Sequence, residues 1–161
     1  QTGCGIMAGS PYQTTAHIAE DLEFMHGLQP EMVGIGPFIS HHDTPFKDRP
    51  AGTLRQTLLL LAIVRLMLPD VLLPATTALG TIEPDGREQG VMAGANVVMP
   101  NLSPMEVRKK YMLYDNKIST GMEAAANIKE LKRRMASIGY EVVTDRGDHK
   151  KIKEVPALKT S

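Results

Sequence analysis

Four short apolar runs mark the chain, and each ends in a polar turn. Gly5-Ile6-Met7-Ala8-Gly9 runs into Ser10-Pro11-Tyr12-Gln13-Thr14. Met32-Val33-Gly34-Ile35-Gly36-Pro37-Phe38-Ile39 runs into Ser40-His41-His42-Asp43-Thr44. Val71-Leu72-Leu73-Pro74-Ala75 runs into Thr76-Thr77-Ala78, and Ala95-Asn96-Val97-Val98-Met99 into Pro100-Asn101. The first three runs are followed by segments of helical period. This is the pattern of parallel strands covered on their faces by crossover helices, an α/β class. In such folds chemistry gathers at the carboxyl ends of the strands. The polar turns are therefore the first candidates for a site.

The intervening segments carry their own punctuation. Thr14 or Thr15 can cap a first helix with Ile18, Leu22 and Met25 on one face and Gly27 near its end. A loop over 44–52, broken by Pro45 and Pro50, precedes an apolar helix over 54–68 that Pro69 ends. That helix is apolar enough to require cover on more than one side. Asp85 can cap a short helix over 86–93, with Gly94 as its stop. Beyond the fourth strand, Ser103-Pro104-Met105-Glu106 is a capping box that starts a helix toward Tyr114. Thr120 and Glu123 form a second box, and the helix after it aligns Ile128, Leu131, Met135 and Ile138 before Gly139. The expected division is a half-barrel over 1–101, a helical extension over 102–143 and a flexible, solvated tail over 144–161.

Four strand–helix units form either an open parallel sheet or half of a closed (β/α)8 barrel, which usually takes roughly 250 residues. An open sheet exposes two edges, and no short charged edge strand blunts them here. The reading favoured is half of a TIM-type barrel, four parallel strands with crossover helices plus C-terminal helices. Its partner half would lie outside the chain or be supplied by a homo-oligomer.

Composition narrows the function classes. The 161 residues are 42% hydrophobic and 22% charged, an ordinary globular balance. A net charge of zero gives no electrostatic footprint for nucleic acid. The single cysteine, Cys4, excludes a disulfide framework and an all-cysteine metal site within the chain, and fits a reducing, cytoplasmic setting. The apolar stretch 57–64 is too short to span a membrane, and no secretory signal is visible. Ten methionines against seven aromatic residues suggest a soft core or pocket lining.

Few residues announce chemistry by themselves. The glycines at positions 3, 5 and 9 have the wrong spacing for a dinucleotide loop and read as close backbone packing at a strand end. His41-His42-Asp43 invites a metal reading. Neighbours on an extended strand point to opposite faces, so the two imidazoles should diverge, and a loop cluster that orients the turn is the expectation. Thr76 and Thr77 can offer hydroxyls and amides to a small anion or polar ligand, or simply make a turn. Met32 and Met99 default to core packing. Tyr111 and Tyr114 share a helix face at i, i+3. Cys4 reads as a small buried residue. No catalytic residue and no metal ligand is assigned.

Taken together, several of these motifs resemble one family. Met32-Val33-Gly34-Ile35-Gly36-Pro37-Phe38-Ile39 with His41 and Asp43-Thr44-Pro45, then Pro74-Ala75-Thr76-Thr77-Ala78-Leu79-Gly80-Thr81-Ile82, resemble the HydE family of radical S-adenosylmethionine (SAM) maturases of FeFe hydrogenase. So do Gly94-Ala95-Asn96-Val97-Val98-Met99-Pro100-Asn101 and Tyr111-x-x-Tyr114 with Lys117-Ile118. The likeness runs to about Val143 and corresponds to the C-terminal half of that family's barrel. Biotin synthase fits less well, because it would carry an arginine in the strand that here ends Pro74-Ala75-Thr76-Thr77. Methylornithine synthase shares Gly-Ala-Asn-Val-Val but not the following Met-Pro-Asn.

The resemblance implies an enzyme that cleaves SAM to a 5′-deoxyadenosyl radical, using SAM and a 4Fe–4S cluster as cofactors. It implies a small-molecule or iron-complex substrate, and partners among the hydrogenase maturation proteins. Gly5, Met7, Gly9, Pro37 and Ile39 match positions beside SAM. Met32, Thr76, Thr77, Ala78, Met99, Tyr111 and Tyr114 match positions around an internal substrate cavity. Three departures stand out. Tyr12 sits where many members have glutamate. Ser119, Asn127 and Glu130 occupy the spacing of an accessory cluster's cysteines. The Cys-x3-Cys-x2-Cys that holds the catalytic cluster has no counterpart here, so this chain alone would be inactive.

Overall fold

The computed structural model describes residues 1–100, 115 and 124–150. The helix toward Tyr114, both later capping boxes, Tyr111, Tyr114, Ser119 and the end of the tail from 151 lie outside the described residues.

The first strand, β1 (Gly3–Ala8), pairs in parallel with β2 (Met32–Pro37), from Gly3 opposite Met32 to Ala8 opposite Pro37. A second parallel pair joins β3 (Pro74–Ala75) to β4 (Val97–Val98). A parallel bridge between Met32 and Leu72 links the pairs, with Val33 N–H donating to Leu72 O at 3.0 Å and Leu72 N–H to Glu31 O at 2.9 Å. All four strands therefore run the same way, and their carboxyl ends share one edge. The α/β class is as the hydrophobic pattern implies. Among the described residues the sheets are two short parallel pairs.

The third strand is shorter than its apolar run. Pro74 has no N–H to donate, and the N–H of Leu73 goes to the side chain of Asn96, 2.8 Å away, rather than to backbone. Asn96 Nδ2 reaches Val71 O at 3.3 Å, so one amide side chain extends the β3–β4 pairing by a residue. The chain then turns into a short helix, α3 (Thr77–Ile82), where the sequence suggested only a turn.

The first crossover helix, α1 (Thr15–Leu28), is capped by Thr14, whose hydroxyl accepts from His17 N–H at 3.2 Å while His17 Nδ1 accepts from Thr14 N–H at 3.3 Å. It ends at Gln29, in the left-handed region at φ 51°, rather than near Gly27. The Gln29 side chain satisfies His26 O at 2.6 Å, which helps hold that conformation without glycine. The second, α2 (Leu54–Met67), starts at Thr53 and buries Thr57, Leu60, Leu61 and Val64. Cover on more than one side was the expectation, yet Leu59 is 60% and Leu66 82% exposed. Then follow α4 (Gly86–Met92) and α5 (Ala124–Ser137).

The main core packs one sheet face against α1 and α2. Ala8, Val33 and Ile35 meet Met25, Leu60, Leu61 and Val64, and Leu73 and Leu79 close the far side. Burying each large aliphatic side chain contributes about 1.5–3 kcal/mol. A second cluster gathers Ala75, Val91, Ala95, Leu131 and Met135 under α4 and α5. Ile128, expected on the same stripe, sits at its exposed margin. Arg134 of α5 ties this cluster down: Nη2 lies 2.6 Å from Glu88 Oε2 of α4, and the guanidinium also reaches Pro84 O.

Arg65, near the end of α2, binds the carbonyls of Gly94 (2.8 Å), Pro69 (2.7 Å) and Val71 (2.9 Å). The segment expected to be a flexible tail touches the body as far as it is described. His149 is buried, and Lys150 Nζ lies 2.7 Å from Asp70 Oδ2 at the entry to β3.

Candidate functional site

Strand alternation leaves the second face of the β1–β2 pair uncovered. It carries Gly3, Gly5 and Met7 on β1 and Met32, Gly34 and Gly36 on β2. Met7 is 60% exposed and lies opposite Gly36. A Cβ on Gly36 would stand 2.9 Å from the hydroxyl of Thr76 on the next strand segment. Thr76 follows Ala75, and Met99, 52% exposed, follows Ala75's register partner Val98. Met7, Gly36, Thr76 and Met99 thus belong to successive strands at the shared carboxyl edge.

The centre of this row holds an anomaly. Thr76 is the N-cap residue of α3, where a threonine hydroxyl normally accepts a helix amide. It makes no such bond. Its Oγ1 is buried and has no hydrogen-bond partner among the described residues. Buried polar groups are nearly always paired, and an orphan costs about 1–3 kcal/mol. Among the described residues, this hydroxyl held against a glycine at a strand end is the one buried side-chain polar atom left without a partner.

The expected site residues distribute around it. Pro37 is buried, Ile39 is half-buried just beyond it, and Thr77 and Ala78 are half-buried in the first turn of α3. Met32 lies on the same face but at the opposite end of β2, roughly 13 Å from Gly36 at strand rise. The glycines at 5 and 9 have packing reasons of their own. A Cβ on Gly5 would collide with the carbonyl of Gly34, and one on Gly9, at φ 77°, would collide with Gly52 in the loop after β2. Cys4 faces the helices, half-buried, and burial pushes its thiol pKa up, so it is held as the thiol rather than the metal-binding thiolate.

The loop after β2 folds over this edge. Phe38 N–H donates to Ala8 O and Gly52 N–H to Phe38 O, both at 2.8 Å. Tyr12, at φ 67°, accepts from Arg49 Nη2 at 2.7 Å and packs edge-on to Phe46. The imidazoles of His41 and His42 do not diverge as expected. The chain leaves the strand at Pro37, and the rings stack with centroids 4.3 Å apart. Asp115 completes a group with them, with His42 Nδ1 2.7 Å from its Oδ1. That hydrogen bond, helped by Asp43, raises the His42 pKa, and its reciprocal effect lowers that of Asp115. A pocket bounded by Gln29, Pro30, Asp70 and His149 lies at the other end of the sheet, away from this chemistry.

Comparison with known proteins adds to this geometry. The chain resembles HydE. It is 42% identical over 154 residues, 96% of its length, to the FeFe hydrogenase maturase subunit HydE of Thermotoga maritima. The 3-methylornithine synthases of Methanosarcina acetivorans and Methanosarcina barkeri are 28% and 30% identical over 137 residues. The likeness to HydE is thus the stronger, as the motifs implied. The chain spans 44% of the HydE relative's length and 37% of each synthase. No model of a protein family matches the chain. No helix among the described residues is long and apolar enough to cross a membrane.

Two features escaped the sequence reading. Gly34 and Gly36 alternate on the open face with Met32, a period-2 signal that was legible but not weighed. Asp115 joins His42 across 73 positions, and no local pattern could have linked them.

Proposed function

We propose that this chain is the C-terminal portion of a radical SAM enzyme of HydE type, and that its open sheet face forms one wall of the cavity for SAM and substrate. The observation that carries this reading is the Thr76 hydroxyl beside Gly36, which has no partner among the described residues. It suits the polar end of a small ligand. The 42% identity to HydE supports the family. The side-chain-free face at Gly34 and Gly36 and the exposed Met7 suit a flat ligand that must approach backbone. Gly5, Gly9, Pro37 and Ile39 would border SAM. Thr76, Thr77, Ala78, Met32 and Met99, with Tyr111 and Tyr114, would surround the substrate, a small iron-bound or thiol-containing precursor of the hydrogenase di-iron site.

The 4Fe–4S cluster does not fit this chain. Its one cysteine cannot supply three ligands, and that thiol faces the helical core. In the whole protein, SAM and a reduced cluster held elsewhere would supply the radical. The residues described here would bind, orient and exclude water. The complete barrel and a role beside other maturation proteins belong to the same proposal.

A chimera tests it. The N-terminal portion of Thermotoga HydE is joined to this chain, reconstituted anaerobically and supplied with SAM and reductant. The expected products are 5′-deoxyadenosine and, in a maturation assay, active hydrogenase. Thr76→Val with Thr77→Val removes two bonds of about 1.5–3 kcal/mol each to a charged group and should weaken substrate binding by about two to four orders of magnitude. A folded, cluster-loaded chimera that binds no SAM would defeat the proposal.

A further inference from the structure

The stacked histidines beyond β2 have no part in that reading, and they form the densest group of potential ligands among the described residues. His41, His42 and Asp115 each bring one donor atom within 4.8 Å of the others. Asp43 adds a carboxylate 3.4 Å from His42 Nε2. The backbone holds the group in place. Asp43 N–H donates to His41 Nδ1 at 3.1 Å, which sets that ring's orientation. Thr44 returns both its N–H (3.0 Å) and its hydroxyl (2.8 Å) to His41 O. Asp115 N–H donates to Ser40 O at 3.0 Å, which fixes the distant carboxylate beside the loop.

We propose that His41, His42 and Asp115 bind one divalent transition-metal ion of the Zn2+ and Co2+ class, with Asp43 on the far side of the His42 ring. Two imidazoles and a carboxylate suit such an ion better than Mg2+ or Ca2+, which take oxygen ligands, or Cu(I), which prefers sulfur. Ligand bonds of about 2.0–2.2 Å put neighbouring donors roughly 3.4 Å apart around a tetrahedral ion. The His42–Asp115 contact of 2.7 Å would open slightly, and no pair of donors, all within 4.8 Å of one another, would need to close by more than roughly 1.4 Å. His42 is 69% exposed at its side chain, so its rotation meets little resistance. An ion here would clamp residue 115 to the loop that borders the open sheet face. The bland alternative is a surface histidine–aspartate pair that binds nothing.

The test uses the full chain free of any histidine tag and stripped of metal. It is titrated with Co2+ and followed by visible absorption, and with Zn2+ by calorimetry. One ion per chain is expected, with His42→Ala and Asp115→Ala each weakening binding at least about tenfold. Asp115→Asn retains a hydrogen-bond acceptor for His42 and should weaken binding as well, which separates ligation from folding. His26→Ala, on the exposed last turn of α1, should bind as the parent does. Absence of saturable binding overturns the proposal, as does parental affinity in both His42→Ala and Asp115→Ala. The cluster is then an ion pair and no more.

Discussion

Thr76→Val should make the protein more stable, an unusual sign for a buried substitution. The hydroxyl is buried against Gly36 with no partner among the described residues, so the folded state bears its desolvation without return. That cost is about 1–3 kcal/mol, and a methyl group of similar shape removes most of it. The slightly larger methyl offsets some of the gain. The expected net effect is about 1 kcal/mol of added stability, equivalent to a Tm rise of about 2–4 °C for a chain of this size. Thr57→Val supplies the control. Thr57 is fully buried, and its hydroxyl donates to Thr53 O at 3.0 Å. The same chemical change there should cost about 0.5–1.5 kcal/mol. Urea denaturation of both variants, followed by far-UV circular dichroism, reads the two signs directly. If Thr76→Val destabilises as much as Thr57→Val, the Thr76 hydroxyl is paired in the folded chain. Such a hydroxyl is not held in reserve for a ligand.

Three further outcomes follow from contacts described above. Arg65→Met should cost roughly 2–4 kcal/mol, because the carbonyls of Gly94, Pro69 and Val71 lose a charged donor, and thermal unfolding measures the loss. Arg134→Met leaves the buried Glu88 carboxylate unpaired and should cost about 3 kcal/mol, visible as a lower urea midpoint. Asp70 has its pKa lowered, chiefly by its bond to Lys150. A depressed folded pKa means this contribution is complete above the ordinary carboxylate range and fades as pH falls through the depressed value. Stability measured between about pH 5 and pH 3 should therefore decline less steeply in Asp70→Asn than in the parent. An unchanged slope would mean that the ion pair does not form in solution.

The fold was legible where periodicity and caps agree. Thr14 marks the start of α1, the apolar run from Leu54 marks that of α2, and Pro69 lies just beyond the end of α2. The parallel β1–β2 pair follows from two apolar runs separated by a helix-period segment. The third strand was overread because its apolar run cannot show that Asn96 takes the place of a backbone partner or that Thr77 starts a helix. Cover on α2 was also overread, since apolar composition does not say which leucines a neighbour reaches, and Leu66 stays exposed. At the site, Thr76 was legible as a strand-end hydroxyl. Its isolation was not, because that depends on Gly36 forty positions earlier. The stacking of His41 on His42 depended on the chain leaving the strand at Pro37, which alternation along an extended strand does not anticipate.

Arg65 joins three places that the chain visits at different times: the end of α2, the turn before β3 and the turn before β4. Each can open only if the guanidinium releases a carbonyl, so their fluctuations are coupled. The amides of residues 64–73 and 94–97 should therefore exchange with solvent deuterium as one cooperative unit, with a common opening free energy. The loop bearing His41 and His42 lies outside that unit and is free to open separately. The approach to the third and fourth strands would then open as one block, and the border of the proposed cavity would move independently of it.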